Sequence, residues 1–320
     1  MKATNKESTR ALYSKKVKQA YLALTIVIIL SLLIFWPQAQ SFTQMLHTLR
    51  NVNDGVLLLS AVCTVLTYFA SAYTIKKLAL YKIRYSRTIL IQSAGGFATK
   101  LVPAGLGGLA LNTRYLIKNN HTVGEAASVA AINNIIGFLA HNILIVAALL
   151  SLNLSAGKLW NFSIPAIFWT VMCLVGAALL ASLYFKIVRK KIRNLVKDLS
   201  SVLRIYNHDK VRLLSALLGA LCVTVLYTLS LYLIARALDA PLSIQQTFFV
   251  FTIGIASAAV TPTPGGVGGA EAGITAALVS VGLVAPLALS VALAYRFITY
   301  WLPIIPGFLL FQYALRKSYI

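Results

Sequence analysis

"TPTPGGVGGAEAG", residues 261–273, interrupts a chain that is apolar for tens of residues on either side. Two prolines, five glycines and one carboxylate, Glu271, stand together in it. Proline has no amide to give to a helical hydrogen-bond ladder, and glycine removes the side-chain barrier to tight turning. The stretch is therefore expected to end one half-helix and begin another. Lipid cannot satisfy the N–H and C=O groups freed at such a break, so the turn must be buried in protein or line a wet cavity.

The surrounding composition sets the class. With 59% hydrophobic residues, 11% charged residues and a mean hydropathy of +0.80, the chain cannot be a water-soluble domain. It reads as an all-α polytopic membrane protein. Six apolar runs are read as spans, 21–36, 56–75, 126–152, 164–188, 213–235 and 286–312, the last five each long enough to cross a bilayer at about 1.5 Å per residue. The first follows a basic amino terminus and is read as a retained anchor, because it is long for a signal peptide and no small-x-small cleavage site follows. Two interrupted stretches remain, 88–117 and 244–283. They are expected to be re-entrant helical hairpins, since the second arm of the latter would reach only about 21 Å, short of about 30 Å of hydrocarbon.

Lys and Arg fix the orientation, because cytoplasmic loops retain positive charge. With the amino terminus inside, the inner segments 1–20, 76–87, 113–125, 186–212 and 314–320 hold six, five, two, nine and two basic residues. The outer loops hold only Arg50, Lys158 and Arg236. Both termini are thus expected on the cytoplasmic side of a cell membrane, prokaryotic by this reading. The net charge of +22 then belongs to loops facing anionic inner-leaflet lipids and calls for no nucleic acid. Cys63, Cys173 and Cys222 lie in apolar runs with no metal-ligand spacing, and no cofactor is expected.

The two interrupted stretches resemble each other. "KLVPAGLGGLA" from Lys100 and "TPTPGGVGGAE" from Thr261 share P-x-G-aliphatic-G-G at an offset of 161, and "SVAAINN" aligns with "SVALAYR" at an offset of 162. The chain divides into a basic amino terminus (1–20), a first membrane repeat (21–152, broken near 88–117), a second (153–315, with the basic loop 186–212 and the break near 244–283) and a short tail (316–320). Each repeat has two spans, a broken hairpin and one span, and the two have opposite topology. Inverted repeats with broken helices are a recurring plan for transporters.

The candidate site follows from the breaks. A half-helix starting near Ala270 directs its positive end into the membrane, and the amides of Gly265, Gly266 and Gly268 let an anion such as phosphate approach. Glu271 stands in its first turn, as a helix cap, a proton or cation site, or a hook for a cationic headgroup. Arg296, about three turns into the last span, needs a partner or water, and Glu271 is the candidate by charge. Lys100 and Arg114 flank the corresponding first break around Pro103, Gly105 and Gly107, either as site residues or as side chains snorkelling to the interface. Asn133, Asn134, His141 and Asn142 form a polar stripe suited to helix-to-helix hydrogen bonds.

"TPTPGGVGGAEAG", followed by a glycine-containing helix and "ALAYRFITYWLP", resembles the carboxy-terminal half of the lysylphosphatidylglycerol synthase transmembrane region family, the flippase-like membrane proteins. Its pattern of P-x-P-G-G-aliphatic-G, a nearby Glu and an Arg in the last span is filled by Pro262, Pro264, Gly265, Gly266, Gly268, Glu271 and Arg296. The first half fits more loosely through Pro103, Gly105, Gly107 and Arg114, and Asn134 stands where members often carry Arg. The resemblance covers roughly residues 21–315. It implies movement of a phospholipid or polyprenyl phosphate lipid between leaflets. Aminoacyl transfer by this chain alone is not expected, since Ile320 ends the sequence seven residues past Tyr313 and no polar loop reaches about 30 residues.

Three further readings stay open. One is an integral membrane glycosyltransferase on a polyprenyl phosphate sugar, with Glu271 as general base. Against it, Glu7, Asp54, Glu125, Asp198, Asp209 and Asp239 all read as loop or terminal acids. Another is a non-catalytic membrane partner docking through the 186–212 loop, and the last is a transporter of a small solute. The sequence also leaves a homo-oligomer open.

Overall fold

The computed structural model describes residues 54–102, 106–151, 197–198, 200–207, 209–261 and 263–320. These residues are predominantly helical, with no strand among them. In chain order the helices are α1 (Asp54–Leu78), α2 (Tyr85–Leu101), α3 (Leu106–Lys118), α4 (Val123–Ser151), α5 (Lys210–Ala237), α6 (Ile244–Val260), α7 (Gly269–Ser280), α8 (Ala285–Arg296) and α9 (Ile304–Arg316). A further helical segment at 200–207 precedes α5.

Among the described residues, four stretches are long and apolar enough to cross a membrane: Asp54–Leu78, Val123–Ala147, Lys210–Ala237 and Ala285–Arg316. They fall on four of the six expected spans. The other two, 21–36 and 164–188, lie outside the described residues, as do Pro103, Gly105 and Pro262.

Local chemistry sets several helix starts. Thr122 and Glu125 cap α4 reciprocally, the Glu125 carboxylate accepting from the Thr122 amide at 2.8 Å and the Thr122 hydroxyl oxygen from the Glu125 amide at 3.2 Å. Ser243 and Gln246 do the same for α6. Asp209 caps α5 by accepting from the Arg212 amide. Such caps satisfy amides that have no intrahelical partner, which permits short connections.

Both interrupted stretches are antiparallel helical hairpins. In the first, α2 and α3 touch from the break outward. Gly107 lies so close to α2 that an added Cβ would meet the Ala98 carbonyl oxygen at 2.0 Å. Farther along, Gln92 donates to Asn112 at 2.7 Å, and the Thr88 and Tyr115 hydroxyls are 3.1 Å apart. In the second, Gly269 faces Thr261, Gly273 faces Ser257 and Gly254 faces Ile274. The same glycine-on-threonine contact closes both turns, Gly108 over Thr99 and Gly269 over Thr261. Helices of 17 and 13 residues in one hairpin and 17 and 12 in the other extend about 26, 20, 26 and 18 Å at 1.5 Å per residue. Every arm is shorter than about 30 Å of hydrocarbon.

The last span is split. Pro303 and Pro306 withdraw two amides from the ladder, and the chain passes through a π turn at Phe297–Trp301, with the Leu302 amide reaching back to the Phe297 carbonyl at 2.8 Å. This offset gives the two halves different neighbours. α8 packs on α7 and α5, whereas α9 packs on α2, where Gly307 abuts Phe97 and Phe308 meets the same ring edge-on. One membrane segment therefore touches both hairpins.

Segments assigned to the inner side converge on one end of the molecule. The carbonyls of Leu78 and Ala79 accept from the Tyr206 hydroxyl and the Arg212 guanidinium, and the Leu80 amide donates to His121 Nε2 at 3.0 Å. Burial raises the Tyr206 phenol well above its ordinary pKa, so it serves as a donor. Tyr206, Leu78, Leu116, Ala126, Ala314 and Ile320 share one buried core there, so the end of the 316–320 tail is packed rather than loose. A second core gathers Leu238, Leu242, Leu283 and Ala288 with α6, α7 and α8.

Candidate functional site

The second break is a 3-10 turn, Pro264–Gly266, in which Gly265 and Gly266 hold φ of 61° and 67°. L side chains avoid this backbone region, and the surroundings exclude them as well. A Cβ on Gly265 would lie 2.2 Å from the Tyr300 ring, and one on Gly266 2.6 Å from Ala258. The turn spends its amides internally. Gly266 donates to the Thr263 carbonyl at 3.1 Å, Val267 to that of Pro264 at 3.4 Å, and Gly268 to Glu271 Oε2 at 2.8 Å. Glu271 is thus a cap of α7, and these three amides are not presented to an anion.

The other oxygen of Glu271 accepts from Arg296 Nε at 2.8 Å, and Arg296 Nη2 donates to the Gly265 carbonyl at 3.1 Å. The partners are 3% and 12% exposed. α8 delivers Arg296 from its last turn, beside the start of α7, so the guanidinium neutralises the carboxylate and satisfies a carbonyl freed by the break. The alternatives for Glu271 narrow accordingly, since a carboxylate with one oxygen on an amide and the other on a guanidinium is poorly placed to act as a general base.

Tyr300 projects from the π turn into the same place. Its hydroxyl is 3.2 Å from the Lys100 carbonyl and 3.2 Å from the Pro264 carbonyl. Its ring centroid is 4.2 Å from Arg296 Cζ and 5.4 Å from Lys100 Nζ. The Lys100 ammonium is buried and has no hydrogen-bond partner among the described residues. A charge in that state is costly unless an anion joins it.

These groups border a cavity of about 250 Å³, lined by Lys100, Gly265, Arg296 and Tyr300 on its polar side and by Tyr227, Phe251, Ile274 and Tyr295 on its apolar side. With Lys100 protonated, two cations and one carboxylate leave the locality one positive charge in surplus. In a medium of low dielectric such a surplus strongly favours an anionic guest.

The residues singled out from sequence separate clearly. Lys100, Pro264, Gly265, Gly266, Gly268, Glu271 and Arg296 come together. Gly107 shapes the first hairpin by its contact with Ala98. Arg114 lies two turns into α3, exposed and outside the cavity lining. Of the polar stripe on α4, Asn142 donates to the Phe138 carbonyl of its own helix, and His141 packs between Phe248 and Phe251 of α6. Sequence reasoning missed Tyr227, Phe251, Tyr295 and Tyr300. The one usable signal was "WLPIIP", whose two prolines mark a helix irregularity next to Tyr300.

A membrane-embedded helical protein with broken hairpins closing on a buried charged cavity is the class these features define. Residues 22–307 match the model of the lysylphosphatidylglycerol synthase TM region, and the chain belongs to that family. No relative among curated proteins matches it.

Proposed function

We propose that this chain moves a phosphate-bearing lipid, a phospholipid or a polyprenyl phosphate lipid, between membrane leaflets, with the phosphate held at the broken hairpins. The observation that carries the reading is the buried Lys100 ammonium, unpartnered among the described residues, across a cavity from an Arg296 whose charge Glu271 already balances. A phosphate oxygen between them would complete the charge balance with charge-assisted hydrogen bonds. The cavity's size suits a headgroup and leaves the acyl chains in lipid. Hairpin arms shorter than the hydrocarbon is thick support a site at their turns within the membrane, where a transporter needs it. The basic loops, in this reading, face the cytoplasm and bind anionic inner-leaflet lipids.

The test is leaflet exchange of fluorescent phospholipids in liposomes holding the purified chain, comparing anionic, zwitterionic and lysine-bearing headgroups. Headgroup-dependent exchange that falls at least tenfold in Lys100→Met supports the reading. Exchange equal for all headgroups and unchanged in the variant refutes it.

A further inference from the structure

Tyr300 does more than an anion site requires. A phenol has one proton, yet this hydroxyl serves two carbonyls at equal distances of 3.2 Å. Both acceptors stand at helix breaks, where backbone groups run out of intrahelical partners. Lys100 belongs to the first hairpin and Pro264 to the second, so this hydroxyl bridges two hairpins that also pack against each other at the Pro264–Gly266 turn. The tie is long for an O–H donor, and sharing one proton weakens it further. Such a contact is weak enough to release easily.

The ring has a second task. It lies against both the Arg296 guanidinium and the Lys100 ammonium, its face giving each cation partial compensation. Cation–π contacts of this kind are weaker than the charge-assisted hydrogen bonds a phosphate supplies. An anion bridging the two cations would therefore outcompete the ring for the same space. The π turn, followed by Pro303 and Pro306, gives the segment bearing Tyr300 a loosened ladder in which to move, and Gly265 offers no Cβ to obstruct it.

We propose that Tyr300 is a positioning residue, a latch between the two hairpins: an anionic headgroup binding Lys100 and Arg296 displaces its ring, withdraws its hydroxyl from the Lys100 and Pro264 carbonyls and frees the hairpins to separate. This rests on an anion site at Lys100 and Arg296. It supplies what that reading lacks, a differential contact through which the ligand favours the open state over the closed one.

The test uses the full chain with Cys63, Cys173 and Cys222 replaced by Ala and a reporter at Thr99→Cys on the cavity wall. Labelling by a charged, water-soluble maleimide is followed in nanodiscs of phosphatidylcholine, alone or with phosphatidylglycerol. With Tyr300 present, labelling is slow in phosphatidylcholine and several-fold faster once phosphatidylglycerol is included. With Tyr300→Phe, which keeps the ring and loses the tie, labelling is fast in both lipids, and Tyr300→Leu behaves alike. Melting curves confirm that the variants are folded. A Tyr300→Phe chain that labels at the parent rate and keeps the lipid response overturns the latch, and absence of acceleration in the parent overturns the anion trigger. Leaflet exchange measured in parallel separates the two readings. Fast, lipid-independent labelling of Tyr300→Phe in a chain whose parent moves no lipid upholds the latch and overturns transport, whereas unchanged labelling in a chain that does move lipid overturns the latch alone.

Discussion

Arg296 holds Glu271 through Nε at 2.8 Å while its Nη2 holds the carbonyl of Gly265, so one guanidinium joins the end of α8 to the turn within a helix break and to the helix that follows it. Removing one member of a buried pair leaves the other charge uncompensated, at a cost of about 3–5 kcal/mol. Glu271→Gln and Arg296→Met are each expected to lower the thermal unfolding midpoint in detergent markedly. The double variant should be less destabilised than the sum of the two, with a coupling of at least about 1 kcal/mol. Strictly additive effects would mean that the pair does not act as a unit.

The glycines of the turn should differ in cost. Gly266 combines φ of 67° with a Cβ position 2.7 Å from the Ala258 Cα, backbone that cannot step aside. Gly268 has φ of 88° with open space around its Cβ position. Gly268→Ala therefore meets conformational strain alone, roughly 1–2 kcal/mol, and Gly266→Ala meets that strain and a backbone clash. Unfolding midpoints should rank parent, Gly268→Ala, Gly266→Ala in falling order. Equal losses at the two positions would show that backbone conformation alone sets the cost.

These residues mark what could be read in advance. The hairpins were legible because proline and glycine act locally: a break in the ladder is written in the residues that make it. Glu271 and Arg296 were legible as partners because opposite charges in an apolar setting have few alternatives. Tyr300 was not, because its acceptors lie 200 and 36 residues away and a tyrosine in an apolar span looks like any interfacial aromatic. The π turn was hidden for a related reason: proline signals disruption without saying whether the helix kinks, stops or takes in an extra residue. Lys100 stood between site and snorkel until the fold buried its ammonium, and Arg114, of the same residue class and near the same break, turned to the exposed side of α3. Helix phase decided between them, and the break itself obscures that phase.

Lys100 yields the prediction that separates function from stability. A buried ammonium without a hydrogen-bond partner among the described residues is a destabilising element in the empty protein. Structural residues raise stability, whereas residues kept for a ligand often lower it until the ligand arrives. Lys100→Met keeps a flexible side chain of similar reach and removes a buried unsatisfied donor, so it should stabilise the lipid-free protein in neutral detergent by about 1–3 kcal/mol. The same change removes one of the two cationic side chains that line the cavity. Anionic lipid should then raise the unfolding midpoint of the parent but not of Lys100→Met, and headgroup-dependent leaflet exchange should fall at least tenfold. Lys100→Arg, which restores charge on a bulkier group, should recover part of the lipid response. If Lys100→Met instead unfolds at a lower temperature and keeps the full lipid response, the ammonium is a structural group with a partner beyond the described residues, and the anion site must be sought at Arg296 alone.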